Sequence, residues 1–455
     1  MRHHETNADQ HYRDAVFEIY NYSNEAGRPM TASEDMQVTI EGFEIFGEGT
    51  AAAISVWHRW YDLDQRFVTG LFIRDNYLET VGNHMATLPI GLKGAGQYGL
   101  HNQPLKWGEI TNNEIVAFGT DQSTDGISTH HFVGKIANNR VSGNSEGIHL
   151  GYARLDPRHE EEPYVVNDLV LNYEDTIIEH NLFYCNPDQH GIHFVHASKG
   201  IVRNNIVVRN VKPGFGQNGP LVARGIHVGE PPNPRLEPDY EQICIDDPDE
   251  CYDQAAVEDD AYAVQVKLHN NTIHHTDGPG LYIHEWAQAE IRNNIVHKTG
   301  LQGSNVAGIE IQQWDPGDPA PLYWDSDYNL LNANDPDYED EEVLHGENDL
   351  YDNSGKPNSP RFQFIVNQGA GTDSVSFMLK TNTGVSPCYP LTAARSDAID
   401  KGRPDDIWRD AVGGPGLDSE IGDIGAYGGP NNFWDPNEQD PCLEYLEGVG
   451  QCVPQ

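Results

Sequence analysis

The chain has 455 residues, 37% hydrophobic and 9% aromatic, enough for two or three ordinary domains or for one repeat array with an added piece. Acids outnumber bases 71 to 28, a formal charge of -43, which argues against a phosphate-tracking nucleic-acid binder and against docking on anionic lipid. No run approaches the roughly 18 consecutive apolar residues that a membrane-spanning helix needs. The acid surplus fits either adaptation to high salt or a surface that collects divalent cations. Its densest stretches, 237–260 and 335–347, read as solvated loops.

Residues 1–39 carry no clear repeat and are expected to form a cap or an incomplete first coil, since an open solenoid end exposes unpaired strand edges. The start, Met1-Arg2-His3-His4-Glu5, has no apolar h-region, so export would require a leader that this sequence does not include.

From Ile40 to Asn332 two units recur. The first reads aliphatic-x-x-Asn: Ile73 with Asn76, Ile110 with Asn113, Ile136 with Asn139, Ile178 with Asn181, Val202 with Asn205, Leu268 with Asn271 and Ile291 with Asn294. The second reads Gly-aliphatic-x-aliphatic, or nearly so, and begins at Gly126, Gly147, Gly191, Gly225, Gly280 and Gly308. Each is a short strand with period-two alternation, too short to be stable alone. Glycine is expected at tight bends between strands, and Asn at corners, where it tolerates a left-handed backbone. Stacked coils would let the Asn side chains bond to one another and to the next coil's backbone, burying one continuous core. The closest coils lie about 21 to 28 residues apart, within the usual range of repeat units. Insertions at 151–167, 229–261 and 315–322 follow the Gly-aliphatic strands and would build one wall of a groove.

Past Asn353 the repeat fades. Phe362 to Val366 reads as a strand, the solenoid is expected to run from 40 to about 370, and 371–455 is a loop-rich C-terminal appendage. None of the six cysteines forms a Cys-x-x-Cys. Cys244 with Cys251 and Cys442 with Cys452 suit small disulfide-stapled loops of an exported protein.

The Asn corners and Gly-Ile-x-aliphatic strands between Ile40 and Asn332 resemble those of the bacterial right-handed parallel β-helix repeat proteins, the pectate lyase-like superfamily of polysaccharide-active enzymes. The stretch 396–402 followed by 423–430 is similar to the ending of many exported members. The resemblance implies an all-β, right-handed parallel β-helix directed at a polysaccharide; the chain is expected to be secreted or at the cell surface, and monomeric. It brings no complete catalytic motif of any one lyase family, so function must be argued from the site.

Aligning the Gly-aliphatic units puts Ser128, His149, His193, His227, Tyr282 and Glu310 in one outward column, with strands about 4.8 Å apart. In β-elimination from a uronate, His193 or His227 would be the base, Tyr282 the acid and Arg154 the carboxylate neutraliser, with calcium as the alternative cation. His149, His284, Glu285, Trp286, Glu310 and Trp314 would contact sugar. Hydrolysis would instead pair Glu285 with Glu310, with Glu146 and Glu230 as spares. A transition metal would draw on His149, His193 and His227, with Glu230 adding an oxygen. Against all three, a solenoid stacks like residues because each coil repeats its neighbour's environment, so the column also fits packing or plain glycan contact. The reading taken forward is an exported lyase on a uronate glycan, with a non-catalytic glycan-binding or adhesive surface protein and a glycoside hydrolase as alternatives. The negative surface opposes a polyuronate unless cations intervene.

Overall fold

The structure is a computed structural model and describes residues 15–21, 36–48, 52–58, 68–81, 88–93, 107–118, 125–130, 134–144, 146–151, 176–186, 190–195, 198–208, 223–229, 264–284, 287–297, 299–300, 307–311, 323–332, 334, 346–351, 362–366, 373–379 and 443–445. All regular structure among them is β, and no helix there is long and apolar enough to cross a membrane. The two proposed cysteine pairs and most of the appendage lie outside the described residues.

One turn of the chain shows how the fold is made. Asp125–His130, Gly134–Ala137 and Arg140–Ser142 are three short strands in a row. The next turn supplies Glu146–Gly151, Thr176–Glu179 and Leu182–Tyr184, and each pairs in parallel with its counterpart one turn back. Repeated along the chain, this rule gives three parallel sheets of nine strands, each strand bonded to the one three places on. The first sheet runs from Ala15–Asn21 to Ile309–Ile311, the second from Met36–Glu41 to Tyr323–Asp327, and the third from Glu44–Glu48 to Leu330–Asn332. This three-faced winding is compatible with a parallel β-helix. Phe362–Val366, Asp373–Leu379 and Leu443–Tyr445 form a separate antiparallel sheet of three strands.

Each face sends apolar columns inward. Ile127, Ile148, Ile192, Ile226, Leu281 and Ile309 come from the first sheet; Ile110, Ile136, Ile178 and Val202 from the second; Ile115, Val141, Phe183 and Val207 from the third. All are essentially shut off from solvent. Burying one such side chain is worth roughly 1.5–3 kcal/mol, so a coil that could not hold its strands alone is held by its neighbours.

The Asn corners form a continuous hydrogen-bonded ladder. Asn76 Nδ2 donates to Asn113 Oδ1 at 2.9 Å, and the same bond repeats from Asn113 to Asn139, Asn181, Asn205, Asn271, Asn294 and Asn329. The second amide hydrogen of each binds a backbone carbonyl of the preceding coil, as from Asn113 to Ile73 O at 2.9 Å. The last acceptor is a carboxylate: Asp349 takes Asn329 Nδ2 at 3.2 Å and its backbone N–H at 2.6 Å.

Two expectations about the corners are corrected. The ladder Asn is not itself left-handed; the residue before it is, at Asp75, Asn112, Asn138, His180, Asn204, Asn270, Asn293 and Tyr328, with φ between 54° and 60°. The chain reverses one residue early so that the ladder amide can point along the stack. Nor does every repeated glycine serve as a bend: Gly280 and Gly308 do, but Gly147 lies within a strand and without positive φ. A Cβ there would sit 2.4 Å from the Gly191 carbonyl oxygen and 2.5 Å from the Phe183 ring. Glycine is required because the neighbouring coil's backbone comes too close for a side chain.

Candidate functional site

In the first sheet Ser128 pairs with His149, His149 with His193, His193 with His227, His227 with Tyr282, and Tyr282 with Glu310. These are the positions that the repeat aligned. A second polar row, just before the repeated glycines, runs beside them: Asp125 pairs with Glu146, and His190 with Arg224. Side chains three apart in a regular strand face opposite ways. Here they meet, because Glu146 Oε2 lies 2.8 Å from His149 Nδ1. The strict alternation therefore breaks at the glycine, although Glu146, His190 and Arg224 are the first residues of their strands. His190 and Arg224 were missed for this reason, although four polar residues in register before Gly were a signal in the sequence.

Glu146 is the charged hinge of the first half. Its carboxylate is buried and takes His149 Nδ1 on one oxygen and His193 Nδ1 on the other, at 2.8 and 3.1 Å. Burial alone would push its pKa up, but the charge and hydrogen bonds of His193 and His149 hold it well below the usual carboxylate range. An ionised carboxylate only accepts, so both histidines present Nδ1–H to it. The His149 side chain is 24% exposed and that of His193 is 4% exposed.

The second half is more apolar in character. His193 and His227 stack at 4.3 Å, and His190 stands edge-on to both at 4.6 Å. His227 Nδ1 faces His190 Nε2 at 3.1 Å and Arg224 Nη1 at 3.3 Å. Burial, then the neighbouring imidazoles, keep the pKa of His190 and of His227 well below the ordinary histidine value, so both are neutral. Beyond them Tyr282 meets the His227 ring edge-on at 4.9 Å, and the Arg224 guanidinium lies 3.7 Å over the Tyr282 ring. His284 is half-buried and pulled down to about 4 by burial and then by Arg224. Glu310 is half-buried at the end of the column.

Among the described residues two sets of donors are close enough to share a metal ion: His190, His193 and His227, and Glu146, His149 and His193, each within 4.8 Å. His149, expected beside His193 and His227, instead belongs to the carboxylate set.

No family profile, curated protein or solved structure matches the chain.

The resemblance to polysaccharide-active β-helix proteins thus rests on the repeat residues, and function rests on the chemistry of this face. Arg154, Glu285, Trp286, Trp314 and Glu230 lie outside the described residues. A second histidine pair lies on the third sheet, where His274 and His297 stack at 4.9 Å with Nδ1 atoms 2.9 Å apart.

Proposed function

We propose that the chain is an exported, right-handed β-helix protein of the pectate lyase-like kind that cleaves a uronate-containing polysaccharide by β-elimination. The observation that supports this reading is Arg224, whose guanidinium stands 3.7 Å over the ring of Tyr282 beside His227. Such a cation stabilises a phenolate and neutralises a nearby carboxylate, two of the tasks that elimination sets. Arg224 supplies a neutralising cation among the described residues. Tyr282, with Arg224 as its partner, takes the C5 proton; the electron pair forms the C4–C5 double bond, and the C4–O bond breaks. The phenol then returns the proton to the departing glycosidic oxygen, so one residue serves as base and acid. The sugar chain would lie along the half-buried positions His149, His284 and Glu310.

The test is ultraviolet absorbance of the unsaturated uronyl product with alginate, pectate and glycosaminoglycans, with and without calcium. The wild-type chain should produce it from at least one polymer, and Tyr282→Phe should abolish it. Burial of His193 and His227 favours a second reading, in which the column is architecture and the groove only binds glycan. Retained binding with no absorbance change on any polymer would replace the first reading with the second.

A further inference from the structure

We infer that His190, His193 and His227 form a binding site for a transition-metal ion of the zinc class. Their donor nitrogens lie within 4.8 Å of one another, and all three residues are buried at 3–4% exposure. The contact between His190 Nε2 and His227 Nδ1, at 3.1 Å, can hold one proton. If His190 donates, a proton remains on His227 Nε2; if His227 donates, it remains on His190 Nδ1. Neither of those two outer nitrogens has a hydrogen-bond partner, and both are buried. Every neutral arrangement therefore strands one N–H and one lone pair, at roughly 1–3 kcal/mol for each unmade bond. Coil stacking accounts for the approach of His193 to His227, but not for His190, which comes from the row before the glycine and meets both rings at 4.6 Å. A metal ion between the two facing nitrogens takes both lone pairs there; the shared proton moves to the outer nitrogen of its own ring, so each imidazole keeps one proton and no lone pair is left stranded.

The surroundings suit the ligand set. The 3.1 Å separation is close to the roughly 3.3 Å between two nitrogens on one tetrahedral zinc with bonds near 2.05 Å. Glu146 binds His193 Nδ1 at 3.1 Å, leaving Nε2 to ligate, which is the carboxylate–histidine–metal relay that orients ligands in metal sites. Its negative charge also offsets the Arg224 guanidinium next to His227. Imidazole nitrogens select zinc, copper, nickel or cobalt over calcium, which takes oxygen ligands. The site does not depend on the lyase reading, and its test uses no polysaccharide.

The experiment is titration of the chelator-stripped full chain with cobalt(II), read by visible absorption, and with zinc(II), read by calorimetry. One equivalent should bind with a tetrahedral cobalt spectrum. His190→Gln and His227→Gln should each lose that spectrum and weaken zinc at least 100-fold, and Glu146→Gln should weaken it about 10–100-fold. His274→Gln, on the other histidine pair, should bind like wild type and shows that removing a buried histidine is not itself the cause. Circular dichroism confirms which variants are folded, and His193→Asn serves as a replacement if either ligand variant is not. Absence of a tetrahedral cobalt spectrum in the folded wild-type chain overturns the inference. So does one-equivalent zinc binding that survives His190→Gln and His227→Gln, since the ion would then sit elsewhere.

Discussion

The rings of His193 and His227 lie face to face, centroids 4.3 Å apart and 10° from parallel, on directly paired residues of neighbouring strands. Strand spacing enforces the approach, since paired residues on adjacent parallel strands sit about 4.8 Å apart. A second positive charge beside His227 at that distance would repel strongly in a buried setting, and His227 is held neutral. The face thus has Glu146 with its two histidines at one end and the neutral His190 and His227 in the middle.

The core column sets the first prediction. Ile192 is fully buried between Ile148 and Ile226, one turn before and one turn after. Ile192→Ala should lower stability by about 2–5 kcal/mol, the usual range for emptying a close-packed site. The midpoint of urea unfolding measures it, and a change below about 1 kcal/mol would mean that the coil is not packed as described.

At the end of the ladder, the corner residue used everywhere else should be the wrong one. Asp349 only accepts: Oδ1 takes both donors of Asn329, and Oδ2 takes the Gly346 N–H at 2.6 Å. Asp349→Asn turns one of those oxygens into a donor facing a donor and should cost about 1–3 kcal/mol, read as a drop in Tm. An unchanged Tm would show that Asp349 is an interchangeable ladder member.

Tyr328 occupies a left-handed corner at φ 60°, where most other coils place Asn or Asp. A bulky side chain is disfavoured there by roughly 1–2 kcal/mol, while Asn visits the region readily. Tyr328→Asn should therefore raise thermal stability modestly. A lower Tm would mean that packing of the phenol outweighs the backbone preference.

Acid should loosen the fold before its carboxylates are protonated. His284 is depressed from 6.5 to about 4 by burial and Arg224. His269 is also lowered, by burial first and then by Lys267 and Arg292, against the pull of Glu290. A group with a depressed folded pKa contributes stability above its unfolded value and loses it as pH falls through the folded one. Between pH 6.5 and about 4 the unfolded chain binds protons that the folded chain refuses, so Tm should fall across that window. Glu290, held at about 2 by the His269 hydrogen bond, extends the loss below 4.5. His284→Gln should flatten the upper part of the profile, and a slope unaltered by it would assign the loss to other groups.

The parallel coils were legible because a solenoid writes its fold locally. Each strand alternates over a few residues, and each coil must present the same aliphatic, Asn and Gly positions to its neighbours. Ile148, Ile192 and Ile226 in the core, and His149, His193 and His227 in the outward column, follow from counting residues after a glycine. The same counting misjudged the corners. Which residue turns left-handed, and why Gly147 has no side chain, depend on how near the next coil's backbone comes.

The sequence by itself determined the repeat, its period and its outward column, because these are one-dimensional patterns that every coil obeys. Only the tertiary structure decided that Glu146, His190 and Arg224 join that column. They precede the glycine, where strict alternation would send them away, yet their side chains meet those of the column. Burial decided the rest: of three histidines that a linear reading treats alike, His149 stays partly exposed while His193 and His227 are shut from water.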